Sequence, residues 1–243
     1  ARRRIQGRRM VSLTIRSMAR SSRRRAARMT ASPDGVSHKV QVVDRVVRDP
    51  REIRTDRLLL RFWRDSDREP FAAMNADSRV MEHLPAVLSR EESDSLADRL
   101  EASFVRERLG LWALELPGVA PFIGYVGLAV ARFEAPFTPC VEVGWRLARP
   151  FWGSGYATEA ARESVRDGFE RLVLNEIVAF TVPSNERSIR VMERLGMQRS
   201  PQDDFEHPGL APGHRLSHHV LYRLDRPTWL RLRDSEAPSR SRL

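Results

Sequence analysis

"RPFWGSGYATEA", residues 149–160, lies between an apolar run that ends at Leu147 and a segment with helical spacing that begins near Ala157. How it is read decides the fold. Gly153 and Gly155 stand one residue apart just before the helix opens. In such a place backbone N–H groups converge on an anion, and the helix dipole adds about half a positive charge. Glycine lets the backbone approach closely and take a positive φ. A pyrophosphate would fit. An ordinary tight turn would fit as well, because a lone GxG is weak evidence. Two familiar phosphate loops are excluded. There is no GxxxxGK[ST] and no lysine nearby. GxGxxG fails because Thr158 stands three after Gly155.

Upstream, "TDRLLLRFW" (55–63) reads as a first strand. "SDREPFAAMNADSRVM" opens on cap-type residues and continues at helical spacing. "SREESDSLADRLEASFVRERLG" (89–110) predicts an amphipathic helix with Leu96, Leu100, Phe104 and Val105 on one face and Gly110 as its stop. The period then becomes two. "LWALEL" (111–116), "PFIGYVGLAV" (121–130) and "CVEVGWRL" (140–147) predict an antiparallel meander, which also argues against a dinucleotide-binding unit. Downstream come a helix over 157–172, an uninterrupted strand "EIVAFTV" (176–182), a capped helix "NERSIRVMERLG" (185–196) and a strand "HRLSHHVLYRL" (214–224). "RPTWLRLR" suggests a last helical turn. The order β-α-α-β-β-β-α-β-α-β predicts one α/β (α+β) domain over 51–232, built on a mixed, mostly antiparallel sheet. Residues 233–243 are expected to be a disordered tail.

The formal charge of +10 is a property of the tail. Residues 1–33 hold 11 arginines and no Asp, Glu or Lys, so 10 − 11 leaves the remainder at about −1. Residues 1–50 are therefore expected to be a disordered, Arg-rich tail. It could bind nucleic acid by counterion release, or act as a targeting segment. Lys39 is the only lysine against 41 arginines, a skew that suggests a GC-rich bacterial genome. The sequence opens on Ala1, with methionines at 10, 18 and 29. A misplaced start or an expression artefact is the plainer expectation. No apolar run reaches the roughly 18 residues that span a bilayer, and Cys140 alone cannot form an internal disulfide. A cytoplasmic, reducing location is expected, with no membrane partner.

The loop's spacing resembles motif A of the GNAT superfamily of acetyl-CoA-dependent N-acetyltransferases, Q/R-x-x-G-x-G/A. Here it reads Trp152-Gly153-Ser154-Gly155-Tyr156-Ala157, with Trp152 where Gln or Arg is usual. "EVGWRL", "WGSGYATEA" and "NERSIRVMERLGM" together resemble the branch of ribosomal-protein alanine and serine N-terminal acetyltransferases, over about residues 55–225. The resemblance implies helices on both faces of the sheet and central strands that splay apart. It implies pantetheine in that V beside Trp145 and Leu147, and pyrophosphate on the amides of Trp152, Gly153, Ser154, Gly155, Tyr156, Ala157 and Thr158. Asn185, otherwise an ordinary helix cap, would also hold acetyl-CoA.

Acetyl transfer needs a neutral amine, whereas an alkyl ammonium has a pKa of about 10.4 and an α-amino group about 8. A base must take the proton. Glu142, opposite in facing to Val141 and Val143, is the candidate; related enzymes carry Glu there, and burial would raise its pKa. Its bland alternative is a solvated outer-face residue. Ser188 is a weak candidate acid; its alternative is helix surface or a cofactor contact. Tyr125, Tyr156 and Tyr222 all lie outside the 185–196 helix, where many relatives place a tyrosine. His207, His214, His218 and His219 match no metal template, and no metal is expected. His218 and His219 should point to opposite faces, and one of them is a candidate to line an acceptor pocket formed by residues 64–110 and 200–219. The acceptor would be a small-molecule amine or a protein N-terminus, and the protein a monomer or homodimer. The competing readings are a catalytically silent acyl-CoA-binding regulator and a nucleic-acid-binding protein led by its tail.

Overall fold

The computed structural model describes residues 49–236. The expected tail over 1–50 therefore falls almost wholly outside the described residues. The strands are β1 (Ile53–Arg54), β2 (Leu59–Arg61), β3 (Leu111–Leu116), β4 (Ala120–Val130), β5 (Val141–Leu147), β6 (Glu176–Thr181), β7 (Gln198–Arg199), β8 (Phe205–Glu206) and β9 (His218–Asp225). The helices are α1 (Arg68–Ala76), α2 (Arg90–Glu107), α3 (Tyr156–Glu170), α4 (Glu186–Arg194) and α5 (Arg226–Glu236). The sheet runs β1-β2-β3-β4-β5-β6-β9-β7, with β8 attached to β9. Every neighbouring pair is antiparallel except β5 and β6. This is the mixed α/β architecture that the alternation of periods predicts.

One face of the sheet carries α3, α4 and α5. Ala160, Ala161, Val165 and Phe169 of α3 pack on Val126, Leu128, Ile177 and Ala179, and Trp229 of α5 stacks on Phe169 at 5.0 Å. The other face carries α1 and α2, whose Phe71, Met74 and Ala97 pack on Ala113, Phe122 and Tyr125. Trp63 lies at 4.9 Å from Phe71, and its indole donates to the Leu111 carbonyl at 2.7 Å.

The structure corrects several boundaries. "TDRLLLRFW" is not one strand. Thr55 and Leu58 close a turn (Thr55 N to Leu58 O 2.9 Å, Leu58 N to Thr55 Oγ1 2.8 Å), and only Leu59–Arg61 pairs with β3. Helix α2 stops at Glu107 because Arg108 turns left-handed (φ 56°), so the stop precedes Gly110. Val105 is off the buried stripe at 88% exposed, whereas Ala97 and Phe104 are on it. The strand expected over 214–224 begins only at His218, since 207–217 loops, and two short strands, β7 and β8, were not expected. The last turn is a full helix, Arg226–Glu236, so 233–236 are helical, and the rest of the tail expected over 233–243 lies outside the described residues.

Candidate active site

The chain opens the sheet at one place. Strands β4 and β5 pair continuously from Gly124↔Leu147 to Val130↔Val141, and β6 pairs with β9 from Glu176↔Asp225 to Thr181↔Val220. Strands β5 and β6 share a single pair, Glu142↔Val178, near their N-terminal ends. Beyond it they separate towards the loop 148–155. The V that this leaves has unpaired strand edges on both sides.

The glycine loop closes the wide end. Gly153 (φ 77°) and Gly155 (φ 82°) take the left-handed backbone expected of them. A Cβ at Gly153 would meet nothing within 4 Å, so conformation rather than crowding calls for glycine there. Gly155 has no capping side chain, and the helix begins at Tyr156. The amides of Gly153, Ser154, Gly155, Tyr156, Ala157 and Thr158 donate to no acceptor among the described residues; the first intrahelical bond is Glu159 N to Gly155 O, 3.0 Å. Such a row of unused donors at a helix N-terminus matches a diphosphate. If the loop holds the pyrophosphate that its resemblance implies, Gly155→Ala should weaken coenzyme A binding about tenfold, because a side chain is strained at this φ; calorimetric titration of coenzyme A checks it.

The sequence reading missed what holds the loop. Arg57 donates from Nη1 to the Ser154 carbonyl (2.9 Å) and from Nε to Glu159 (2.7 Å). Thr55 and the Arg57 amide also bind Glu159 Oε1, at 2.5 and 3.1 Å. The Arg57 guanidinium lies 4.7 Å over the Tyr156 ring. These bonds hold the Glu159 carboxyl below its usual pKa, against the opposing effect of burial. Turn-type residues Thr55-Asp56-Arg57 ahead of an apolar run were the available signal.

Trp152 explains its odd place. Its indole donates to the Leu147 carbonyl at 2.7 Å, and Arg187 of α4 stacks over it at 4.6 Å. The Leu147 carbonyl, expected to be free for pantetheine, is thus already engaged, while Trp145 stays partly exposed on the edge of the V. Arg57 and Arg187 bring two cations to a loop that has no basic residue at its first position. Asn185 caps α4, accepting from the Ser188 amide (3.3 Å) and donating to Thr181 Oγ1 (3.0 Å). The Ser188 amide thus serves the cap of α4, and its side chain is partly exposed.

Glu142 sits at the apex of the V, partly buried. Its carboxylate has no hydrogen-bond or ion-pair partner among the described residues, yet it is not sealed from solvent. Burial pushes its pKa up to about 7. That suits a group that must take a proton near neutrality. On the same sheet face β6 presents Phe180, within a cluster of Phe133, Phe137, Phe205, His207 and His219. His219 points into this cluster and His218 outward to Glu206 (3.2 Å), as alternation predicts. Burial holds His207 and His219 below the usual imidazole pKa. Burial together with Glu142 and Glu176 raises the Cys140 thiol to about 12, so it is inert.

Residues 57–198, more than half of the chain, match the acetyltransferase (GNAT) domain family. This protein belongs to the GNAT acetyltransferase family. The uncharacterized protein YkkB of Bacillus subtilis is 30% identical over 147 residues, 60% of this chain and 84% of that one. An Aspergillus fumigatus protein named FsC-acetyl coenzyme A-N(2)-transacetylase is 37% identical over 129 residues, 50% of this chain and 52% of that one. The solved structure of a GNAT-family acetyltransferase from Bacillus anthracis superposes with a TM-score of 0.59 at 25% identity, over 72% of this chain and 98% of that one. In this GNAT acetyltransferase no helix among the described residues is long and apolar enough to cross a membrane.

Proposed function

We propose that this acetyltransferase moves an acetyl group from acetyl-CoA to the nitrogen of a primary amine, by direct attack with both substrates bound. The observation that carries the reading is the row of unused amides from Gly153 to Thr158, set at the wide end of a V whose apex holds Glu142. The amides, with Arg57 and Arg187 beside them, would hold the pyrophosphate. The free edges of β5 and β6 near Trp145 would take the pantetheine, and Asn185 would fix the start of α4 against it. Acetyl-CoA supplies the activated acetyl group. Glu142 takes the proton from the ammonium, directly or through a water, and so frees the nitrogen lone pair. The new N–C bond forms as the C–S bond breaks. A backbone N–H on the splayed edge steadies the oxygen charge. The Ser188 hydroxyl is the proposed proton donor to the departing thiolate, and it regains a proton from the nitrogen, which sheds its second proton as the amide forms.

The test has two arms. Coenzyme A at a hundred times its Kd should stabilise the protein by about 2.7 kcal/mol, raising Tm by roughly 5 °C or more for a chain of this size. Acetyl-CoA with a panel of amines and peptides should release thiol in an amine-dependent way. No shift in Tm would end the reading. A shift without thiol release from any amine or peptide would leave a silent acyl-CoA binder in its place.

A further inference from the structure

Along β5, alternate residues share one face, so Glu142, Gly144 and Arg146 project to the side that carries α1 and α2. Their partners on β4 are Ala129, Gly127 and Tyr125. Two glycines thus lie side by side between the Glu142 carboxylate and the Arg146 guanidinium. Gly144 has an ordinary φ, and a Cβ there would meet only Leu111 Cδ2, at 3.8 Å. Neither backbone conformation nor crowding asks for glycine at 144; what it provides is an open floor. The two ends of that floor stand about 13 Å apart along the strand, at about 3.4 Å per residue.

Arg146 is half-buried and has no carboxylate partner among the described residues. Fully buried Arg61 and partly buried Arg68, Arg171 and Arg223 each have one, whereas partly buried Arg226 is bonded to the Phe169 carbonyl instead. Arg146 is nonetheless held in place. Its Nη1 donates to Asn75 Oδ1 at 2.6 Å, fully buried Asn75 donates to Ser93 Oγ at 2.9 Å, and the guanidinium lies 5.3 Å from the Tyr125 ring centre. A fixed guanidinium with N–H groups unused among the described residues, on the same strand face as the uncrowded Gly144, suits a planar anion. We propose that Arg146 binds a carboxylate on the acceptor, so that the amine substrate is an amino acid or a closely related amino carboxylate. This rests on the acetyl-transfer reading and narrows it. An α-amino acid is shorter than this floor, so Arg146 takes the carboxylate end directly and Glu142 reaches the amine end through a water, and the side chain leaves over Leu111 and Tyr125.

The test compares matched acceptors by thiol release: leucine against leucinamide and isoamylamine, phenylalanine against phenylalaninamide and phenethylamine. The wild type should favour the acids by roughly 10- to 100-fold in kcat/KM, the worth of one charged hydrogen-bonded contact. The amides have the less basic amine and so more of it neutral near pH 7, and the simple amines are more basic than the acids, so a preference for the acids over both does not follow amine basicity. Arg146→Gln keeps an N–H for Asn75 and drops the charge; it should bring the acid-to-amide ratio to about one while coenzyme A still raises Tm. Gly144→Val, which fills the floor, should raise the KM of the acids with coenzyme A affinity retained. Amides or simple amines used as well as the acids, peptide N-termini alone accepted, or a ratio that survives Arg146→Gln would overturn the proposal and leave acetyl transfer standing. No thiol release from any amine would remove both.

Discussion

Glu142→Gln should lower kcat/KM by about 10²- to 10⁴-fold, the usual worth of a positioned base, with coenzyme A binding retained. The wild-type pH profile should carry the same signature. Below about pH 7 Glu142 holds its proton and cannot accept another, so kcat/KM should climb with pH, be half-maximal near 7 and then level off. The variant should lose that limb. Stability should move the other way. The folded carboxyl keeps its proton to about pH 7, whereas the unfolded one releases it near 4.5. Between those values the folded chain binds more protons, so ionising Glu142 destabilises it as pH rises through that window. At pH 8 the Gln variant should be more stable by about 1–3 kcal/mol, read from urea midpoints. A variant that is both active and no more stable would refute the assignment of Glu142 as a buried base.

The second large effect is structural. Arg61 is fully buried on β2, bidentate to buried Asp67 (2.7 and 2.8 Å) and bonded to Glu115 (2.8 Å) and the Pro121 carbonyl. Arg61→Leu leaves the Asp67 carboxylate in the core without its counter-charge and should cost about 3–5 kcal/mol. Against a usual total of about 5–15 kcal/mol, that is a large share. Adding Asp67→Leu should recover part of the loss, since the orphaned charge is then gone. A single-variant loss below about 1 kcal/mol would show that the pair is not held as a unit.

The fold was legible where periodicity is strong. The meander 111–147, the helix after Gly155 and the apolar strand at 176 all lie within a residue or two of their expected places. The glycine loop was legible because positive φ and a helix start both leave marks in sequence. Glu142 was legible as an acid among valines. The face of α2 was misjudged at Val105, because adjacent Phe104 and Val105 differ by about 100° around a helix and only one could be inward. Arg57, Arg61 and Arg146 were not legible as site or core residues. In a chain with 41 arginines each looks like solvated surface, and only tertiary partners about 50 to 100 residues away distinguish them. The short strands β7 and β8 were missed for a related reason. Two residues cannot show a period, and both are strands only because β9 is beside them.

The clamp of Arg57 on Glu159 joins positions 102 residues apart. Contacts of that span close late, because a long stretch of chain must be ordered before they form. The glycine loop therefore gains this clamp only after β1 and β2 have docked. On the proposed role of this loop, a form that has shed β1 and β2 should keep much of its sheet yet bind coenzyme A poorly, so ligand affinity becomes a sensitive gauge of whether the first two strands are home.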